Sequence, residues 1–292
     1  LKTYTITSSG TATADNITLT DIASGSTVNL SDDSSWDGAS ATDTDNNGDI
    51  GVVAIDTVAG GILTVNVSAN EDAATHVATA FTTSTTIGGA STVTINSKNS
   101  DSNDIVNDLA ALILTAAETQ SVALVAEDSA GIDTGNITLS TALQSLTLSS
   151  AAGAASVVGT VADATGLETL SITSTGAGSS AAIGDIAANG ITEGQLTSLT
   201  ISAGATSTTT VQDIFSDSSS AMSAISINAN GANSTVDLAA TSILDFGTAT
   251  VGALTIGVAD NATLLFEDIS IASGAITTAS LTLGDYSTVA DS

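Results

Sequence analysis

Cysteine, proline and arginine are all missing from this chain of 292 residues, and only Lys2 and Lys98 carry a positive charge. The lack of cysteine excludes a disulfide framework and any thiolate metal site. The lack of proline leaves strand ladders with every backbone N–H available for pairing. Two cations stand against 31 carboxylates, a formal net charge of -29. Nothing here can neutralise phosphates, which excludes nucleic acid, and an anionic membrane surface is excluded unless divalent cations bridge the two. No run of about 20 apolar residues is present, so membrane insertion is not expected. The opening Leu1-Lys-Thr-Tyr-Thr-Ile6 carries no signal-peptide pattern; the expectation is an export signal that has been removed or lies outside this stretch. Aromatic residues make up only 2%, and Ala, Ser, Thr and Gly dominate.

What is present is periodic. Hydrophobic residues reach 42% and are ordered rather than diluted, unlike those of a disordered acidic chain. The phrase apolar-x-x-apolar-x-apolar occurs as Leu143-Gln-Ser-Leu146-Thr-Leu148, Leu167-Glu-Thr-Leu170-Ser-Ile172, Leu196-Thr-Ser-Leu199-Thr-Ile201, Met222-Ser-Ala-Ile225-Ser-Ile227 and Val251-Gly-Ala-Leu254-Thr-Ile256. Looser copies centre on Val65, Val93, Val122 and Leu281, and the steps between centres are 28, 29, 24, 24, 29, 26, 29 and 27. A period in the twenties signals stacked repeats. Within each phrase apolar residues alternate with Ser or Thr, the period of a strand with one buried face.

A second signal, Asp followed by an aliphatic residue, lies between the phrases at Asp108-Leu109, Asp185-Ile186, Asp213-Ile214, Asp237-Leu238 and Asp268-Ile269, with Asp163-Ala164 as a degenerate copy. Each coil therefore holds at least two short strands joined by Gly, Ser, Asn and Asp turns. The expected fold is an all-β solenoid with coils of about 24–29 residues. Its inward columns are Val65, Val93, Val122, Leu146, Leu170, Leu199, Ile225, Leu254, Leu281 and, beside them, Val67, Ile95, Leu124, Leu148, Ile172, Ile201, Ile227, Ile256, Leu283. Residues 1–58 are less regular and read as an N-terminal β cap with an acidic loop, ahead of a repeat domain over 59–292. One stretch, residues 104–118, has apolar residues at 105, 109, 112, 113 and 116, and two readings stay open there: a short amphipathic helix, or a pair of strands in register with neighbouring coils.

The sharpest chemical motif is Asp43-Thr-Asp45-Asn-Asn47-Gly48-Asp49-Ile50. Oxygen ligands at alternate positions with a glycine at the turn match the first half of an EF-hand-like calcium loop. Position twelve is Ala54 rather than Glu, and Asp56 follows two residues later. The candidate metal ligands are thus Asp43, Asp45, Asn47, Asp49 and Asp56, with calcium as the ion and Asp32, Asp33 and Asp37 near enough in sequence to complete a shell. The plain alternative is an acidic solvated turn. The recurring Asp residues likewise read either as cation-bridged carboxylates or, better supported by their irregular spacing, as turn caps. Between the inward columns runs an outward row of Asn66, Thr94, Ala123, Thr147, Ser171, Thr200, Ser226, Thr255 and Thr282; Asn66 and Ala123 interrupt it, which argues against a threonine array that binds ice.

The single His76 has no nucleophile or ligand partner in sequence, Trp36 reads as a packing anchor among acids, and Met222 replaces a core Leu. The Asn136 and Asn261 sequons arise by chance where Ser and Thr abound. No Ser-His-Asp set, phosphate loop or HExxH motif is visible, and polyanion-cleaving solenoids need basic residues that this chain lacks. An enzyme is not expected.

The Cys-free, Arg-free, acidic composition and the Leu-x-x-Leu-Thr-Ile phrases over 60–292 resemble calcium-dependent bacterial S-layer proteins and related secreted surface proteins of Gram-negative bacteria. The Gly-Gly-x-Gly-x-Asp nonapeptide that usually binds calcium in such proteins is missing, so calcium ladders of that type are not implied. The resemblance implies an extracellular, cell-surface structural protein that self-assembles into a sheet or filament with calcium. Further copies of the chain and a cell-surface polysaccharide are its candidate partners; an adhesin or glycan- or ice-binding module of a larger surface protein is the alternative.

Overall fold

The computed structural model describes residues 2–8, 15–32, 50–69, 84–98, 105–108, 112–115, 119–138, 142–162, 166–192, 196–212, 214–217, 222–245, 250–270 and 275–291. Among them all regular structure is strand. The N-terminal part holds β1 (Thr3–Ser8), β2 (Asp15–Ile22), β3 (Ser26–Asp32) and β4 (Ile50–Ala69), followed by β5 (Thr85–Lys98), β6 (Ile105–Asp108) and β7 (Leu112–Leu114). Four triplets come next: β8 (Ser121–Glu127), β9 (Ala130–Asp133) and β10 (Ile137–Thr138); β11 (Ser145–Ala151), β12 (Ala155–Val158) and β13 (Val161–Ala162); β14 (Thr169–Thr175), β15 (Ser180–Ile183) and β16 (Ile186–Thr192); β17 (Ser198–Ala203), β18 (Thr208–Val211) and β19 (Ile214–Asp217). The chain continues with β20 (Met222–Ala229), β21 (Thr235–Asp245), β22 (Val251–Val258), β23 (Thr263–Ser270), β24 (Ile276–Leu283) and β25 (Thr288–Asp291).

Every pairing among these strands is parallel, and the pairings form three ladders, as a solenoid requires. The long ladder joins β1, β3, β4, β5, β8, β11, β14, β17, β20, β22 and β24. A short ladder joins β6, β9, β12, β15, β18, β21, β23 and β25. The third runs from β2 through β4, β5, β7, β10, β13, β16 and β19 to β21 and β23. About seven successive coils, from the second half of β5 to β23, carry a strand on all three sides. The boundary expected near residue 58 falls inside β4, which serves two ladders.

The hydrophobic phrases stack as expected through the middle of the chain. Leu146, Leu170, Leu199, Ile225 and Leu254 lie opposite one another in order, as do Leu148, Ile172, Ile201, Ile227 and Ile256. From Leu146 to Ile225 these side chains are at most 1% exposed, and each such burial stabilises the fold by about 1.5–3 kcal/mol. Met222 is buried in the same core.

At both ends of the long ladder the expected columns slip by two residues. Leu63, not Val65, lies opposite Val93, and Val65 faces Ile95; Ala279, not Leu281, lies opposite Leu254, and Leu281 faces Ile256. A slip of two leaves every side chain on its own face, so hydrophobic alternation cannot distinguish the registers. Turns and outward side chains decide. At the first end the observed register aligns Asn66 with Asn96, whose amides bond at 2.9 Å. At the second, Gly284 N donates to Val258 O and seats the 284–287 turn on the turn before it.

The helix considered for 104–118 is replaced by β6 and β7, the strand-pair reading. Ile105–Asp108 pairs with β9, and Leu112–Leu114 pairs with both β5 and β10. An isolated helix of this length is marginal in water, whereas flanking rungs supply backbone partners at each position.

The corner between the long and short ladders repeats one turn, closed by a bond from the fourth residue's N–H to the first residue's carbonyl: Ala154 to Ala151, Ser179 to Gly176, Ser207 to Gly204, Ser234 to Gly231 and Ala262 to Ala259. Its third residue has positive φ: Gly153 (84°), Gly178 (77°), Thr206 (54°), Asn233 (58°) and Asn261 (56°). Gly and Asn suit that conformation; a β-branched residue such as Thr206 does not. Inside this corner the core turns polar. Ser174 Oγ donates to Ser207 Oγ at 3.0 Å and lies 2.8 Å from Thr209 Oγ1.

Candidate functional site

Of the expected calcium ligands, Asp43, Asp45, Asn47 and Asp49 lie outside the described residues, as do Asp33, Trp36, Asp37 and His76. Asp56 is described. It stands exposed on the outer side of β4, opposite Gly88. Its Oδ1 and the Thr115 hydroxyl each lie about 3 Å from where a Cβ at Gly88 would sit. The glycine thus opens a small polar notch. Among the described residues no group of three or more His, Cys, Asp or Glu side chains converges on one point.

The Asp-aliphatic phrases fall on different ladders. Asp185 precedes β16 and Asp268 lies opposite Ile243, both on the third ladder; Asp237 sits on the short ladder between Thr210 and Leu265; Asp108 pairs with Asp133. These acids form no single column.

The outward face of the long ladder is where the molecule is most regular. Three columns run along it. One passes through Ser145, Thr169 and Ser198; the central one through Thr147, Ser171, Thr200, Ser226 and Thr255; the last through Ser149, Thr173, Ser202 and Asn228. The two-residue slip repairs the central column at its start: Thr27, Thr64 and Thr94 are in line, and Asn66 moves into the next column. Ala123 still interrupts it. Asn66 joins an amide ladder that composition alone did not reveal. Asn29 Nδ2 donates to Thr5 Oγ1 at 3.3 Å, Asn66 Nδ2 to Asn29 Oδ1 at 2.8 Å, and Asn96 Nδ2 to Asn66 Oδ1 at 2.9 Å. The signal was available in the matching phrases Val28-Asn29-Leu30, Val65-Asn66-Val67 and Ile95-Asn96-Ser97.

No charged side chain occupies these three columns between β8 and β22. Charge starts at the margins. On one side Lys98 Nζ lies 3.1 Å from Asp128 Oδ2, and both side chains are more than half exposed. The hydrogen bond and charge of Asp128, then the charge of Glu127, hold the Lys98 ammonium above its ordinary pKa of 10.5. On the other side Gln144 Nε2 donates to Glu168 Oε1 at 3.4 Å. An open groove of about 540 Å³ lies along the first margin, lined by Asn66, Asn96, Lys98 and Glu127 among others. The short ladder's outer side, by contrast, carries Asp133 and Asp237, and the third ladder's carries Asp56.

No known protein family, curated protein or solved structure matches this chain.

Proposed function

We propose that this chain is a secreted structural protein that self-assembles at the cell surface, as a layer or a filament, with calcium bridging its acidic surfaces. The observation that carries this reading is the long ladder itself. It presents one uncharged face, mostly Ser, Thr and Asn with small apolar residues at Ala123, Ala224 and Ala253, on rungs about 4.8 Å apart. A surface that repeats along an axis is complementary to a partner that repeats, and a further copy of the same chain is one. The charge supports a role for cations. With two lysines against 31 carboxylates, internal ion pairs cannot relieve self-repulsion, so bound or bridging cations must. Electron microscopy in millimolar calcium and in chelator tests the reading. Ordered sheets or filaments in calcium, dispersed by chelator, are expected; discrete single molecules in both would overturn it.

A second reading, an adhesin or glycan-binding module, is favoured by the groove beside Asn66, Asn96 and Lys98. Its amides match the hydroxyls of a neutral sugar. A chain that stays monomeric in calcium yet is retained by a glycan array would favour this reading over assembly.

A further inference from the structure

We infer that the outward face of the long ladder, centred on Thr147, Ser171 and Thr200, is a contact between two copies of this chain that needs no calcium. The inference rests on the self-assembly reading and names one of its surfaces. Charge selects the face. Two molecules of formal charge -29 approach most easily where neither presents a carboxylate, and sheets packed face to face lie only about 10 Å apart. At that distance, close to the screening length of roughly 8 Å at physiological salt, exposed like charges still repel. The short ladder's outer side would oppose Asp133 and Asp237 with their counterparts, and the third ladder's would oppose Asp56. The long ladder's columns oppose hydroxyls, methyls and amides only.

Size supports the same choice. The long ladder has ten rung-to-rung pairings, about 48 Å at roughly 4.8 Å each. Three outward positions span about 20 Å across, so the face offers on the order of 1,000 Å², against the roughly 800 Å² per partner that a standard interface buries. Its anatomy also fits: an uncharged centre, with Lys98, Glu127 and Asp128 along one margin and Glu168 along the other, is the arrangement of an interface core and its rim.

Sedimentation velocity in chelator, at physiological salt, tests this on the whole chain. Wild type should sediment as a dimer at tens of micromolar. Thr147→Asp with Thr200→Asp should weaken the dimer at least tenfold, and the Lys pair at the same positions should do the same. Thr147→Ser with Thr200→Ser should leave it intact, as should Thr235→Asp on the short ladder. Circular dichroism shows whether each variant keeps its strands. A wild-type monomer in chelator overturns the inference, as does a dimer indifferent to the Asp and Lys pairs when those variants are folded. Retention of a monomer on ice or a neutral polysaccharide, lost in the Asp pair, would assign the face to that ligand and overturn it too. Calcium-dependent assembly is scored separately: if it persists in the Asp pair while chelated wild type is monomeric, this inference fails and the self-assembly reading stands.

Discussion

Two serines one rung apart show how the same residue has opposite effects in this core. Ser150 and Ser174 are directly opposed on β11 and β14, and both are fully buried. Ser174 shares its hydroxyl with Ser207 and Thr209, whereas Ser150 Oγ finds no partner among the described residues. A buried hydroxyl without a hydrogen bond carries a desolvation cost of about 1–3 kcal/mol. Ser150→Ala should therefore stabilise the protein by about 1 kcal/mol, while Ser174→Ala should destabilise it by a similar amount. Urea midpoints of the two variants check this; shifts of the same sign would contradict it. Lys98 gives a pH test at the same scale. Its folded pKa is raised by Asp128 and Glu127, so its stabilising contribution is complete below the unfolded value of 10.5 and is lost as pH rises through the folded one. An NMR titration of the Lys98 side chain should show a midpoint above 10.5 that falls in Asp128→Asn. A midpoint unchanged by that substitution would contradict the ion pair.

At the scale of the strand, what the sequence revealed and what it hid have a single cause. Alternation with a period of two fixes which residues face inward, and Leu170, Leu199, Ile225 and Leu254 could be aligned from the letters alone. It is blind to slips of two, so it cannot set Val65 opposite Ile95 or Leu281 opposite Ile256; Val65 is buried as expected, whereas Leu281 and Leu283, on the last strand of the ladder, are more than half exposed. The corner turns were equally hidden, because the position with positive φ is filled by Gly178 in one coil, Thr206 in another and Asn261 in a third. Residues 104–118 fit both periods because short apolar runs are ambiguous; among the described residues there, Ile105–Asp108 and Leu112–Leu114 are strands on neighbouring rungs. Of the candidate site, only Asp56 could be placed, and the amide ladder required the register to be known first. A cysteine-free chain makes the register directly measurable. Thr64→Cys with Thr94→Cys places two thiols on opposed residues, within disulfide reach, whereas Asn66→Cys with Thr94→Cys sets them on a diagonal of about 8 Å, beyond it. The first pair should oxidise readily and the second poorly. The reverse ranking would restore the register expected from the phrases.

For the molecule as a whole, regular packing and excess charge pull in opposite directions. The ladders satisfy backbone groups coil upon coil, and among the described residues nearly every inward aliphatic between Val53 and Ile227 is buried. The 31 carboxylates work against compactness and against contact between copies. Keeping those carboxylates off the outer columns of the long ladder leaves that surface neutral, and on the proposed reading the remaining sides meet through cations. Association should therefore respond to whatever removes negative charge, be it calcium or protons. Light scattering during a calcium titration, repeated from neutral pH toward the sequence pI of about 4.1, tests this most directly. The account predicts a rise in mass with calcium at pH 7 that chelator reverses, and an onset at lower calcium as pH falls. A mass that stays constant across calcium and pH would contradict it.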